Sequence, residues 1–227
     1  MFARSSREFA SRLVARSVPS RHRKPIRQIG PDNASQAGSN AKQGLLLGEG
    51  AGVLVLESEE HARNRGAAIL ARVLGYGLSC DAHHITGPHP DGEGAAACMR
   101  NALSNARADP DDVGYICCHG TGTHQNDRIE AKAIHRVFGE RARALPVSSI
   151  KALTGHMMGA ASAVEAIACV LALRDGVLPP TWNHRGLDPE CDLDVLPNQP
   201  RESRVRLVLN NSYAFGGNNA CVAFGAP

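Results

Sequence analysis

The chain has 227 residues, of which 43% are apolar, 21% are charged and 4% are aromatic, and its formal net charge is +3. This composition is ordinary for a globular protein, and the longest apolar runs, such as residues 52–56, are far too short to span a bilayer. No secretory apolar segment follows the start. The seven cysteines show no C-x-x-C spacing, so they are interpreted as reduced thiols in a reducing compartment.

Residues 1–43 differ in composition from the rest of the chain. Residues 1–30 hold eight basic residues and one acidic residue, which leaves the remainder mildly acidic and argues against a nucleic-acid surface. Three interpretations compete for this segment: an organelle transit peptide, a poorly ordered linker, and a surface helix with a basic face. A cytoplasmic location is expected, with a mitochondrion or plastid as the alternative, and residues 44–227 are expected to form the folded domain.

From residue 44 onward the pattern alternates between strands and helices, which predicts a layered α/β fold. The predicted elements, in chain order, are strands at 53–57 and 70–78, a helix at 94–106, a strand at 115–118, a helix at 127–138, a strand at 147–150, a helix at 159–173, and strands at 206–210 and 221–224. A turn at 215–218 joins the last two strands.

Two histidines stand out because each lies beside glycines at the end of a strand or the start of a helix. His119 lies in CHGTGT and His156 lies in KALTGHMMG. Glycines let the backbone approach a ligand closely, and the carboxyl ends of strands are where open α/β sheets place their sites. One such histidine is more often structural. Two in matching contexts, one of them five residues after Lys151, favour a functional site without identifying its reaction.

Five motifs in order carry a resemblance to a known family. They are GEGAGVLVLE at 48–57, DAHHIT at 81–86, HGTGT at 119–123, KALTGH at 151–156 and NSYAFGG at 211–217. Over residues 44–224 the chain resembles the carboxy-terminal half of elongating, type II β-ketoacyl-[acyl-carrier-protein] synthases of the thiolase-like superfamily. The resemblance implies a layered αβαβα fold of two related halves, of which this chain supplies mainly the second.

The implied activity is a decarboxylative Claisen condensation of malonyl-carrier protein with an acyl thioester in fatty-acid or polyketide synthesis. In this family a cysteine in the amino-terminal half carries the acyl group, and none of the seven cysteines here has that context. Whether this chain acts alone is left open. A missing half would leave an apolar sheet or helix face exposed.

The resemblance also implies roles for individual residues. His119 and His156 would donate hydrogen bonds to the malonyl thioester oxygen, and Lys151 matches the family's active-site lysine. Glu165 matches a nearby supporting glutamate, although without the family the two would be interpreted as an unrelated surface lysine and glutamate. His84 in the second motif is a further supporting residue.

The resemblance assigns substrate-binding roles to residues of the third and fifth motifs. Thr121 and Thr123 correspond to threonines that bind the phosphopantetheine arm; the alternative is a solvated turn. Phe215 corresponds to an aromatic gate to which Gly216 and Gly217 give mobility; the alternative is a core aromatic near the last turn.

No cofactor is expected, because the substrates are carried on the phosphopantetheine of an acyl carrier protein. No metal is expected either, since His83, His84 and His89 lack a zinc spacing. The expected partners are acyl carrier protein and either a second copy or a cysteine-bearing ketosynthase half. A non-catalytic carrier-protein-binding or assembly subunit derived from a ketosynthase is the alternative function. The thiolase branch is disfavoured because Cys221 follows the glycine turn instead of preceding it.

Overall fold

The computed structural model describes residues 11–14, of which only the backbone is considered, together with residues 38–39 and 44–227. Ser11–Val14 form a strand, so the surface-helix interpretation is wrong for these four residues. The other predictions for residues 1–43 lie largely outside the described residues. Within the described part no helix is long and apolar enough to cross a membrane.

Every element predicted from residue 53 onward is present, with ends shifted by a few residues. The strands are β1 Ser11–Val14, β2 Val55–Ser58, β3 Ala71–Cys80, β4 Tyr115–Cys117, β5 Pro146–Ser148, β6 Val177–Leu178, β7 Asp194–Val195, β8 Arg201–Glu202, β9 Leu207–Ala214 and β10 Asn218–Gly225. The helices are α1 Glu59–Asn64, α2 Glu93–Ala106, α3 His124–Phe138, α4 Lys151–Thr154 and α5 Ala161–Asp175. Helices α1 and α4 and the two-residue strands β6, β7 and β8 were not predicted.

Eight strands form one mixed sheet in the order β2-β1-β3-β10-β9-β4-β5-β7, and β6 pairs with β8. The central strands β3, β10 and β9 are antiparallel. Strand β4 is parallel to both β9 and β5. The carboxyl ends of β4 and β5 therefore lie side by side at one edge of the sheet, which is where a ligand site is expected in an α/β fold.

Helices cover both faces of the sheet. Residues of α2 and α3 form one core cluster with the inward side chains of β4, β9 and β10, and residues of α5 form a second cluster on the opposite face. Helix α2 lies directly on β3, because a Cβ added to Gly77 would stand 1.9 Å from the carbonyl oxygen of Cys98. This layered α/β arrangement agrees with the predicted fold class.

One apolar face is left uncovered among the described residues. Gly75 and Gly77 face α2, so the alternating residues of β3 point to the opposite side of the sheet. There Tyr76 and Leu78 are 59% and 63% exposed. Leu171, on the outer side of α5, is also exposed. Exposed apolar surface of this kind marks a binding face.

Candidate active site

His119 and Lys151 are brought together by two neighbouring parallel strands. His119 follows β4, and the backbone N–H of Cys118 continues the ladder by donating to Ser148 at 2.8 Å. Lys151 opens α4 just after β5. Both side chains are buried; His119 is 7% exposed.

A buried carboxylate of α3 holds the loop that carries His119. The two oxygens of Glu130 accept the backbone N–H groups of His119 and Gly120, each at 2.9 Å. The side-chain amide of Asn211 on β9 donates to the same carboxylate at 3.3 Å. Burial raises the pKa of Glu130, and the two backbone donors act in the opposite direction. The sequence analysis missed Glu130 as a site residue.

Asp127, three residues earlier on the same side of α3, holds the next part of this loop. Its carboxylate accepts the backbone N–H of Gly122 at 3.2 Å and that of Gly38 at 2.9 Å. Its position in the first turn of α3 also suits the helix dipole. The sequence signal that the two carboxylates share is their i, i+3 spacing after the HGTGT motif.

The loop that carries His156 is fixed by its main chain. The N–H of His156 donates to Leu46 at 2.7 Å, and its carbonyl accepts from Gly48 at 3.1 Å. Gly155 adopts a φ of 72°, a value that favours glycine. The Nδ1 atom of the His156 ring accepts the N–H of Met158 at 3.1 Å.

Lys151 and Glu165 form a buried ion pair, so their interpretation as unrelated surface residues is wrong. The ammonium also donates to the carbonyl of His119 at 2.5 Å and lies 3.4 Å from Nδ1 of the same ring. Burial raises the pKa of Glu165 to about 7, while Lys151 pulls it down. One cation therefore connects α5, the end of β4 and the His119 ring.

The two imidazole rings lie edge to face, with their centroids 5.4 Å apart and an interplanar angle of 82°. Burial lowers the pKa of both rings, well below the usual value for His119, and the nearby Lys151 acts in the same direction. Each Nδ1 faces a donor, from Lys151 or from Met158. In the neutral ring the proton must therefore sit on Nε2, which leaves each imidazole with one free donor.

The predicted substrate-binding residues lie in the His119 loop and in the turn between β9 and β10. The hydroxyls of Thr121 and Thr123 are 2.8 Å apart, and Thr123 also caps α3, which explains why that helix begins before its predicted start. Phe215 lies in the turn between β9 and β10 and is 69% exposed, so it is not a core aromatic. Gly216 and Gly217 have φ angles of 84° and 78°.

The second motif lies against that turn. The N–H of Gly216 donates to Ile85 at 2.7 Å, and that of Asp81 donates to Gly217 at 2.8 Å. His84 is exposed, and its Nδ1 accepts the N–H groups of Thr86 at 3.1 Å and Gly87 at 3.0 Å, so it shapes its own loop. No group of three or more His, Cys, Asp or Glu side chains in the described part of the chain could hold a metal ion.

All seven cysteines are described, and six of them are buried, with Cys80 exposed. Burial raises the pKa of Cys98 to about 12 and places those of Cys118, Cys169 and Cys221 well above the usual value. Buried thiols of raised pKa are poor nucleophiles.

Comparison with known proteins identifies the family. Residues 70–185 match the domain described as "Beta-ketoacyl synthase, C-terminal domain". The chain is 52% identical over 199 residues to Nodulation protein E of Rhizobium meliloti, covering 88% of this chain and 49% of that protein. It is 47% identical over 189 residues to 3-oxoacyl-[acyl-carrier-protein] synthase 2 of Coxiella burnetii, covering 83% of this chain and 46% of that protein.

A solved structure shows the same fold. The ishigamide ketosynthase/chain length factor superposes with a TM-score of 0.83 at 49% identity, over 86% of this chain and 47% of that one. The prediction of a thiolase-like carboxy-terminal half is therefore confirmed. The chain spans about half the length of the relatives it matches. It belongs to the β-ketoacyl synthase family, of which it carries the C-terminal domain.

Proposed function

We propose that this chain is the enolate-stabilising half of a β-ketoacyl-[acyl-carrier-protein] synthase. The observation that carries the proposal is the edge-to-face pair formed by the buried imidazole of His119 and the partly buried imidazole of His156. Each has its Nδ1 facing a donor and a lowered pKa, so each offers a neutral Nε2–H donor. Such a pair suits an oxygen that gains negative charge during the reaction.

In the proposed reaction the negative charge develops on the thioester oxygen of the malonyl group. When malonyl thioester loses CO2, the electrons of the breaking C–C bond move into an enolate whose charge rests on the thioester oxygen. The Nε2–H groups of His119 and His156 donate to this oxygen. The enolate carbon then attacks the acyl-cysteine thioester, and the cysteine thiolate leaves. Removing one such donor typically costs about 3 kcal/mol of transition-state stabilisation.

Lys151 keeps the His119 ring neutral with its proton on Nε2, the form that can donate a hydrogen bond to the substrate. Its ammonium lies beside Nδ1 of the ring and contributes to the lowered pKa of His119. A neutral ring with Nδ1 occupied has only one tautomer available. Glu165 balances the charge of Lys151, which would otherwise be unpaired in a buried site.

The carrier-bound substrate would approach along the remaining motif residues. The hydroxyl pair of Thr121 and Thr123 offers donors and acceptors to the amides of a phosphopantetheine arm. The exposed Phe215, on a turn with two glycines of positive φ, would gate this path. His84 supports the gate through the loop that is hydrogen-bonded to that turn.

The proposed reaction needs a nucleophilic cysteine in addition to these residues. We propose a cysteine-bearing ketosynthase half that covers the exposed apolar face around Tyr76 and Leu78, in addition to acyl carrier protein as the substrate carrier. Two observations support this: the chain has half the length of its relatives, and its own cysteines are mostly buried.

The test measures malonyl-carrier-protein decarboxylation and condensation by the chain alone and by the chain mixed with the amino-terminal half of a related synthase. We expect condensation only in the mixture. We expect His119→Ala and His156→Ala each to lower the rate about 100-fold or more, while the exposed-site control His61→Ala leaves it unchanged. Full condensation by the isolated chain would show that the nucleophile is not missing.

The alternative is a non-catalytic carrier-protein-binding or assembly subunit, which the buried state of six of the seven cysteines favours. A pull-down with acyl carrier protein separates the two. Binding without any turnover in the mixture supports the alternative, and turnover that depends on His119 excludes it.

A further inference from the structure

A glycine-rich segment, residues 44–52, crosses both histidine loops; we call it the glycine strap. At one end the N–H of Gly44 donates to Gly122, in the His119 loop, at 3.3 Å. Further along, Leu46 accepts the N–H of His156 at 2.7 Å and Gly48 donates to the His156 carbonyl at 3.1 Å. The strap therefore binds the two loops through the main chain alone.

The approach of the strap to the His156 loop leaves no room for a side chain. A Cβ added to Gly48 would stand 2.2 Å from the carbonyl oxygen of Thr154 and 3.1 Å from Gly155. A Cβ added to Gly155 would in turn stand 2.8 Å from Gly48. Both contacts are with backbone, which cannot rotate away, so two glycines face each other where the strap meets the loop.

The same close packing continues along the strap. A Cβ on Gly50 would meet the sulfur of Met157 at 2.4 Å, and one on Gly52 would meet Ala163, near the start of α5, at 2.9 Å. Leu45 and Leu47 of the strap are 40% and 64% exposed, whereas Leu46 is half-buried. Three glycines of the strap are thus closely packed against the His156 loop and α5, and at Gly48 the fit is set by backbone contacts.

We propose that the glycine strap positions His156 relative to His119, with Gly48 as the positioning residue. Gly48 touches no reacting atom in this proposal. It fixes the main chain of His156, and with it the Met158 N–H that holds Nδ1 of the ring. A displacement of about 1 Å in such a group can lower a rate about 100-fold. The expected effect on turnover rests on the proposed function, whereas the effect on the position of the His156 ring does not.

The test compares Gly48→Ala with Gly159→Ala in the full 227-residue chain. Gly159 is the matched control, because it lies close to His156 in sequence and a Cβ there meets nothing within 4 Å. The readout is the ¹⁵N NMR spectrum of the histidine rings, which reports tautomer and pKa, together with the cross-relaxation between the two rings.

In Gly48→Ala we expect the His156 ring to lose its single Nε2–H tautomer, its pKa to rise towards the ordinary value, and the inter-ring signal to weaken. His119, whose Nδ1 faces Lys151, should keep its tautomer. The spectrum of Gly159→Ala should match that of the wild type. An unchanged His156 signal in folded Gly48→Ala overturns the proposal.

If Gly48→Ala does not fold, Gly50→Ala carries the test. The three atoms nearest to its Cβ all belong to the flexible Met157 side chain, so we expect a smaller change in the same direction, reversed in Gly50→Ala/Met157→Ala. An unchanged His156 signal in Gly50→Ala overturns the proposal. A displaced His156 with undiminished condensation in the reconstituted mixture supports the positioning role and refutes the proposed function instead.

Discussion

Replacing Lys151 by methionine tests the electrostatics of the site most directly. Methionine has a similar length and no charge, so the change removes the cation while filling most of its space. Glu165 then remains buried beside no compensating charge. Removing one partner of a buried ion pair typically destabilises a protein by about 3–5 kcal/mol, so we expect a deficit of about 3 kcal/mol at neutral pH.

The size of that deficit should depend on pH in a predictable direction. Burial raises the pKa of Glu165 to about 7 even with Lys151 present to lower it, so its pKa must rise further in Lys151→Met. A carboxyl whose folded pKa is raised loses stability as pH increases from its unfolded value to its folded value, by about 1.4 kcal/mol per unit. Wild type completes this loss near pH 7, while the variant continues to lose stability above it.

The assay is urea denaturation of the full chain at pH 6, 7, 8 and 9. We expect the difference in unfolding free energy between wild type and Lys151→Met to grow across this range. In Lys151→Met/Glu165→Gln the titrating carboxyl is gone, so its deficit should stay constant from pH 8 to 9, where wild type has completed its own loss and Lys151→Met is still losing stability. The exposed Lys132→Met serves as the surface control. A deficit of Lys151→Met that is equal at pH 6 and pH 9 would refute the reasoning.

Three further predictions concern the elements around the pair. Glu130→Gln places an amide NH2 against backbone donors and should lower the unfolding free energy by about 1–3 kcal/mol, whereas urea denaturation of the exposed Glu140→Gln should show no change. Gly77→Ala puts a Cβ 1.9 Å from the carbonyl of Cys98, so overpacking should cost about 3 kcal/mol, measured by thermal denaturation. Because the pKa of His119 is lowered in the folded protein, the unfolding free energy should fall as pH drops through about 6.5, the usual histidine pKa. In urea denaturation between pH 7.5 and 5.5 this fall should be smaller for His119→Phe than for wild type. An equal fall in both proteins would contradict the prediction.

The sequence was informative wherever a local pattern decides the structure. Strand β3 and helix α2 were predicted within two residues of their observed ends because periodicity and turn residues act locally. The start of α3 was placed three residues too late, because the side-chain cap by Thr123 was not considered. Helix α4 has only four residues, too few to leave a periodic signal.

The partners of the site residues were harder to predict from local patterns. The spacing of His119 and His156 was visible in the sequence, but the bonds from Glu130 to the His119 loop depend on how α3 packs against the end of β4. Similarly, the strap lies more than 100 residues before His156, and only the fold brings Gly48 against Gly155. Tertiary packing decides such contacts, and single-sequence periodicity does not report it.

Exposed apolar side chains also lie beside His156, where they affect the electrostatics of the candidate site. The His156 ring is only partly buried, and Leu47 of the strap and Met158, both next to it in the structure, are exposed. A partner half seated over these side chains would exclude water from the ring and lower its pKa further, since burial is the main cause of the existing shift. Hydrogen bonds to a forming enolate strengthen when water is excluded. Docking of the cysteine-bearing half would therefore supply the nucleophile and, in the same step, make the two imidazoles better donors.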